Sequence, residues 1–150
     1  MNPRKDFVKR FYYHITNEYL GNKIVTLSPR KFSPSRPVEE PKLSRLCVAP
    51  SVPHCLVSVA MCGESKIHIY RTFNKVQAYY PYGVVDSHVT KEKWILFPIK
   101  FILVKEISIP VHKFIQEFTH GIPDKIRESQ IFYLNIFKNI FNQDGSFKKK

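Results

Sequence analysis

The hexapeptide Phe11-Tyr12-Tyr13-His14-Ile15-Thr16 decides how this chain is expected to fold. It closes a longer run, 7–16, whose alternating side chains predict the first strand of a sheet. Successive side chains of a strand point to opposite faces, so His14 and Thr16 share one face, about 7 Å apart. An imidazole and a hydroxyl can each donate and accept a hydrogen bond. The pair can therefore bind a ribose or a carboxamide, although a purely structural role for His14 is also open.

Beyond this run, the pattern of apolar residues predicts further short strands and helices. A proline-rich loop over 28–44 and a tyrosine-rich turn over 79–83 separate them. The predicted elements are a helical turn over 17–22, strands over 45–49, 66–73, 94–97 and 101–107, and helices over 53–61, 111–119 and 124–141. Together they predict a single α+β domain with a split, mainly antiparallel β-sheet core over 7–108. A C-terminal helical extension over 109–142 and a basic tail over 143–150 complete it.

The composition indicates a folded and strongly basic protein. Of the 150 residues, 43% are hydrophobic, which is enough to build a buried core. The 24 lysines and arginines outnumber the 12 aspartates and glutamates, so the formal net charge is +12. This excess favours anionic partners, above all nucleotides and nucleic acid, while a lysine-rich proteome would produce the same bias.

The sequence also bears on the compartment. No window approaches the roughly 18 apolar residues of a membrane span, and residues 1–10 lack the apolar centre of a secretory signal. The cysteines, Cys47, Cys55 and Cys62, are odd in number and match no common zinc spacing. We therefore expect free thiols in a reducing cytoplasm. The oligomeric state is not predicted by any of these features.

The hexapeptide and the elements after it resemble ADP-ribosyltransferase-like domains over about residues 11–108. In that family, a strand with a His-x-Thr motif leads to a short helix and then to a loop with a leucine-x-proline run. A strand that enters a helix, a further strand and the closing strands follow. The similar segments here are 14–16, 27–30, 45–51 with 53–61, 67–72 and 97–107. The compact rifamycin-modifying and DNA-modifying branches are the most similar.

The resemblance implies an NAD-binding cleft between two small sheets. His14 would bind a ribose hydroxyl of NAD, and Thr16 would support that contact or bind the nicotinamide amide. Arg30 or Arg45 would meet the pyrophosphate, because a guanidinium matches phosphate oxygens in a bidentate way. Ser51, at the end of the second strand, would complete the cofactor-binding set.

The resemblance also implies a carboxylate that orients the acceptor and offsets the positive charge on the ribose as nicotinamide leaves. Glu92 is the first candidate for it, and Asp86 is the second. Members of the family carry an aromatic residue on the second strand that stacks on nicotinamide, where this chain has Cys47. Tyr70 or Tyr80 would replace it. The leading prediction is an NAD-handling enzyme that transfers ADP-ribose to a nucleic acid, protein or small molecule, or cleaves NAD.

A second function is open because the His-x-Thr pattern occurs twice. His88-Val89-Thr90 repeats the pattern of His14-Ile15-Thr16, and such a pair is similar to the signature of 2H phosphoesterases. One imidazole would act as general base and the other as general acid on RNA ends or a cyclic nucleotide.

A third possibility is a non-catalytic module that binds a nucleotide or nucleic acid. Aromatic rings next to cations can stack on bases and neutralise phosphates. The residues of this kind are Tyr79, Tyr80, Tyr82, Arg71 and Lys75. The five glycines form no glycine-rich cluster, which argues against a phosphate-binding loop or a Rossmann fingerprint.

Overall fold

Eight strands and three helices make up the part of the chain that the structure, a computed structural model, describes: residues 3–31, 43–60, 66–84, 87–108 and 123–149. The strands are β1 Lys5–Arg10, β2 Tyr13–Thr16, β3 Val25–Leu27, β4 Leu46–Val48, β5 Lys66–Thr72, β6 Val76–Tyr79, β7 Lys93–Ile95 and β8 Ile99–Ser108. The helices are α1 Val52–Ala60, α2 Ser87–Thr90 and α3 Pro123–Ile140.

The strands form two four-stranded sheets. Sheet A has the strand order β1-β6-β7-β4, and sheet B has the order β2-β5-β8-β3. Neighbouring strands within both sheets run antiparallel. The predicted α+β class with a divided, antiparallel sheet is therefore confirmed.

The stretch 7–16, predicted as one strand, is divided between the two sheets. β1 pairs with β6 in sheet A, whereas β2 pairs with β5 in sheet B. The segment that pairs with 7–16 bends as well, between Thr72 and Val76. The two paired segments therefore pass from one sheet to the other together. A bend that two distant segments share arises from their pairing, and the alternation of one segment does not reveal it.

Sheet B is covered on both faces by separate buried cores. The core between the two sheets comprises Tyr12, Leu46, Val48, Tyr70, Ala78, Ile95 and Phe101. On the other face, Tyr13, Ile67 and Ile69 pack with Leu56 of α1 and Phe137 of α3. The face of sheet B that looks toward sheet A is called the inner face below.

Three other segments differ from their predicted structure. Residues 17–22 hold no helix. The Tyr70 hydroxyl accepts from the Leu20 N–H and donates to the Gly21 carbonyl, both at 2.9 Å, so these backbone groups bond to a side chain. The tyrosine-rich segment predicted as a turn begins inside a strand, β6, whose Ala78 is buried. The polar segment before β7 contains a short helix, α2, which buries Val89.

The predicted helix over 124–141 is confirmed as α3. Its spacing places Leu134 and Phe137 in the core with α1, so helical periodicity was a sufficient signal. The predicted helix over 111–119 lies outside the described residues. In the described ranges, no helix is long and apolar enough to cross a membrane.

The segment after α3 folds back on the body of the domain. The backbone N–H of Val52 donates to the carbonyl of Gln143 at 2.9 Å, which satisfies a free N–H at the start of α1. The ammonium of Lys105 donates to the carbonyl of Gly145 at 2.9 Å. The first part of the predicted tail, 143–150, is thus hydrogen-bonded to two other elements.

Replacing Gly145 with alanine is expected to lower the free energy of unfolding by about 1–3 kcal/mol, the usual range for a non-glycine residue in this backbone region. Gly145 has φ +88°, and an added Cβ would lie 3.1 Å from Cγ2 of Val52. Urea denaturation followed by circular dichroism measures the change. Gly21→Ala is the matched control, since its φ is also positive but its Cβ would lie 3.9 Å from Val25. Equal losses in the two variants would show that the contact with Val52 is unimportant.

Candidate functional site

A row of polar side chains crosses the inner face of sheet B. Residues opposite one another on antiparallel strands share a face. The pairing places His14 opposite Tyr70 and Thr16 opposite His68 on β2 and β5. His68 in turn lies opposite Glu106 on β8. We call these five residues the polar row.

His14 is held in one orientation and one protonation state. Its side chain is 8% exposed, and its ring contacts the ring of Phe101 edge-on with centroids 6.2 Å apart. Nδ1 lies 2.8 Å from the carbonyl oxygen of Cys47. Because a carbonyl only accepts, Nδ1 carries the proton and Nε2 is an acceptor. Burial lowers the pKa of His14, and the nearby charge of Arg30 lowers it further, so the ring is neutral.

Thr16 and Tyr70 already have partners inside the domain. The Thr16 hydroxyl accepts a hydrogen bond from the backbone N–H of Glu18 at 3.1 Å, and its side chain is half-buried. Tyr70 is fully buried, and its hydroxyl accepts from the N–H of Leu20 at 2.9 Å while donating to Gly21. Tyr70 therefore anchors the turn after β2, while Thr16 retains a surface that a ligand can reach.

His68 and Glu106 were not identified from the sequence. His68 is 5% exposed, and its Nε2 lies 3.4 Å from Oε2 of Glu106. The ring of Tyr19 packs against the His68 ring, with the two centroids 5.6 Å apart. Its Nδ1 is buried without a hydrogen-bond partner among the described residues. Alternation within 66–73 places His68 on the same face of the strand as Tyr70. Only the register of β5 against β8 shows that Glu106 lies beside His68.

Glu106 is an exposed and ionised carboxylate. Its Oε1 lies 2.9 Å from the ammonium of Lys66. The hydrogen bond from Lys66, assisted by His68, holds the pKa of Glu106 below its usual value. The polar row thus ends in a negative charge two strands away from Thr16.

Arg45 and Glu92 meet at Trp94 instead of at the polar row. The guanidinium carbon of Arg45 lies 4.3 Å from the ring centroid of Trp94, whose Nε1 donates to Oε2 of Glu92 at 2.7 Å. Ile95, the next residue on β7, belongs to the core between the sheets. Alternation therefore points Trp94 to the outer face of sheet A. The structure groups Glu92 with Arg45 and separates both from His14.

Arg30 and Ser51 have different surroundings. Arg30 forms a backbone bridge with Arg45, with both N–H to carbonyl distances at 3.1 Å, and its side chain is exposed. Its charge is close enough to His14 to affect the pKa of that imidazole. Ser51 is buried before α1, and its hydroxyl is hydrogen-bonded to Nδ1 of His54. Ser51 acts in this structure as a cap for α1.

The two His-x-Thr segments lie on different sides of sheet B. His88 is exposed on α2, and the neighbouring Val89 packs in the core with the helices. Thr90 is buried and accepts from the N–H of Glu92 at 3.4 Å. His14 faces the opposite way, toward sheet A, so the structure does not bring the two imidazoles into one cleft. Asp86 lies outside the described residues.

Comparison of the chain with protein-family models, with curated proteins and with solved structures found no match. Within the described ranges, no group of three or more His, Cys, Asp or Glu side chains is arranged to hold a metal ion.

The free energy of unfolding is expected to decrease as the pH falls below about 6.5, where the unfolded chain begins to protonate its histidines. The lowered pKa of His14 means that the folded state resists this protonation, so stability present above that pH is lost on acidification. His54 acts in the same direction, since burial lowers its pKa to about 4. Urea denaturation at a series of pH values measures the slope. His14→Asn, whose amide can still donate to Cys47, should give a shallower slope, and an unchanged slope would contradict this assignment.

Proposed function

We propose that this chain is an ADP-ribosyltransferase-like, NAD-handling enzyme whose nucleotide site includes the polar row. The observation that carries the proposal is the fixed acceptor on Nε2 of His14. The imidazole is neutral, has one tautomer and lies on the inner face of sheet B. Its Nε2 can therefore accept a hydrogen bond that a ribose hydroxyl donates. The reaction would transfer ADP-ribose to a nucleic acid, protein or small molecule, or cleave NAD.

Three side chains would bind the nucleotide. Nε2 of His14 accepts a hydrogen bond from a ribose hydroxyl. The hydroxyl of Thr16, two residues further along β2, forms a hydrogen bond with the same sugar or with the carboxamide. Arg30 supplies positive charge for the pyrophosphate, since its side chain is exposed and its charge lowers the pKa of the nearby His14. Arg45 is less suited to this role because its side chain is 2% exposed and stacked on Trp94.

The carboxylate of the reaction is assigned to Glu106 in place of Glu92. Cleavage of the nicotinamide–ribose bond leaves the electron pair on nicotinamide and positive charge on the ribose carbon, which a fixed carboxylate stabilises. Glu106 is exposed, ionised and on the same face as Thr16. Glu92 is bonded to Trp94 on another face. The acceptor then bonds to the ribose carbon and loses a proton.

The cysteines bear on the compartment in which such an enzyme would work. Cys47 and Cys55, the two cysteines within the described ranges, are free thiols. Burial raises the pKa of the Cys55 thiol, so that group is unreactive. These properties support our proposal of a reducing, cytoplasmic setting.

NAD binding is expected in calorimetry of the purified chain. His14→Asn should weaken it about tenfold, because one hydrogen bond contributes about 0.5–1.5 kcal/mol and its loss leaves a polar group unpaired. Thr16→Val should weaken it to a similar extent. His88→Ala is the control, since His88 is exposed on the other side of sheet B, and its affinity should equal that of the wild type. An absence of NAD binding by the wild type would refute the proposal.

Catalysis separates the two candidate carboxylates. Glu106→Gln should lower the rate of nicotinamide release about 10²-fold or more, while NAD affinity stays within a factor of a few. The reason is that the carboxylate stabilises charge that develops only in the transition state. Release of nicotinamide is followed by chromatography. Glu92→Gln keeps an acceptor for Trp94 and should retain most of the activity. The reverse ranking of the two variants would return the role to Glu92.

A further inference from the structure

The edge strand β1 exposes aromatic and cationic side chains together. Phe7 is 75% exposed, an unusual exposure for a phenylalanine, and the Lys5 ammonium lies 6.0 Å from its ring centroid. The pairing of β1 with β6 shifts register between Asp6 and Arg10. Irregular pairing of this kind bends an edge strand and changes the direction of its side chains. Phe7 and Lys9 lie in this irregular stretch, and both are exposed to solvent.

A second aromatic–cation group continues from the end of β1. The guanidinium carbon of Arg71 lies 4.2 Å from the ring centroid of Phe11, and the ammonium of Lys75 lies 5.7 Å from it. A cavity of about 550 Å³ opens beside this group and is lined by Lys9, Phe11 and Lys75 among others. We call Lys5, Phe7, Lys9, Phe11, Arg71 and Lys75 the β1 strip.

The positive charge of the β1 strip exceeds the negative charge of the nearby carboxylates. Asp6 is buried between Arg10 at 3.7 Å and Lys93 at 3.8 Å, so its charge is already compensated. Asp144 also lines the cavity. Hydrogen bonds from the N–H and hydroxyl of Ser146 lower its pKa and keep it ionised, so it offsets one positive charge of the strip. Among the described residues, none of the four cations of the strip forms an ion pair. An excess of cations therefore faces solvent beside two aromatic rings.

We propose that the β1 strip binds single-stranded nucleic acid. Phosphates along the strand would contact the lysines and Arg71, and unpaired bases would stack on Phe7 and enter the cavity beside Phe11. A duplex hides the faces of its bases, so it would meet the cations without using the rings. An acidic bilayer would likewise use the charge but offers no flat rings to stack. The strip does not include the polar row, so the proposal stands whether or not His14 binds NAD.

The test is fluorescence anisotropy of a short fluorescein-labelled oligothymidylate, titrated with the full chain without NAD at several salt concentrations. The wild type should bind, and Phe7→Ala should weaken binding about tenfold, the usual effect of removing one stacked base contact. Lys9→Gln and Lys75→Gln should each reduce the slope of log affinity against log salt by about 0.7, the value for one phosphate contact on a single strand.

Matched controls lie on α3, outside the β1 strip. Phe132 is 62% exposed, so Phe132→Ala removes another largely exposed ring, and Lys138→Gln removes an exposed cation. Both variants should keep wild-type affinity. The proposal is overturned if the wild type does not bind the oligonucleotide, or if Phe132→Ala weakens binding as much as Phe7→Ala. It is also overturned if an unlabelled duplex competes as well as the single strand, or if the chain binds vesicles with phosphatidylserine but not the oligonucleotide.

Discussion

The fold depends on four hydrogen bonds that hold the chain where it passes from sheet A to sheet B. The N–H of Tyr12 donates to the Thr72 hydroxyl at 3.1 Å, and the N–H of Thr72 donates to the Tyr12 carbonyl at 2.8 Å. One residue later, Tyr13 and Ala49 exchange both of their backbone hydrogen bonds, at 2.8 and 2.9 Å. These four bonds fix the register of β2, and a shift by one residue would move His14 from the inner face to the helices.

Much of the fold follows from the sequence where one segment carries its own signal. The helix α3 shows helical spacing, and the first turn of α1 contains Pro53, which suits that position. The division of 7–16 and the strand β6 cannot be predicted from local sequence, because both result from pairing with distant segments. Tyr79 lies in a strand since it faces Lys5 across the ladder, which its tyrosine-rich surroundings do not indicate.

The same distinction applies to the candidate site. Alternation alone placed His14 and Thr16 on one face, and the pairing of β2 agrees with it. The resemblance implies Glu92 as the carboxylate, whereas the neighbour of His68 is set by the register of β5 and β8. That register contains an irregularity between Ile69 and Tyr70, so counting residues along either strand would not have paired His68 with Glu106.

The contact between the start of α1 and the segment after α3 has a consequence for synthesis. Val52 receives its backbone partner, Gln143, only after translation has passed residue 143. Phe141, which belongs to the same core as Leu56 and Ile67, also emerges late from the ribosome. Sheet pairing and the packing of α1 can begin earlier, but the helical side of sheet B lacks Leu134, Phe137 and Phe141 until then. Nascent chains of this protein therefore expose apolar surface during elongation, which is the kind of surface that chaperones bind.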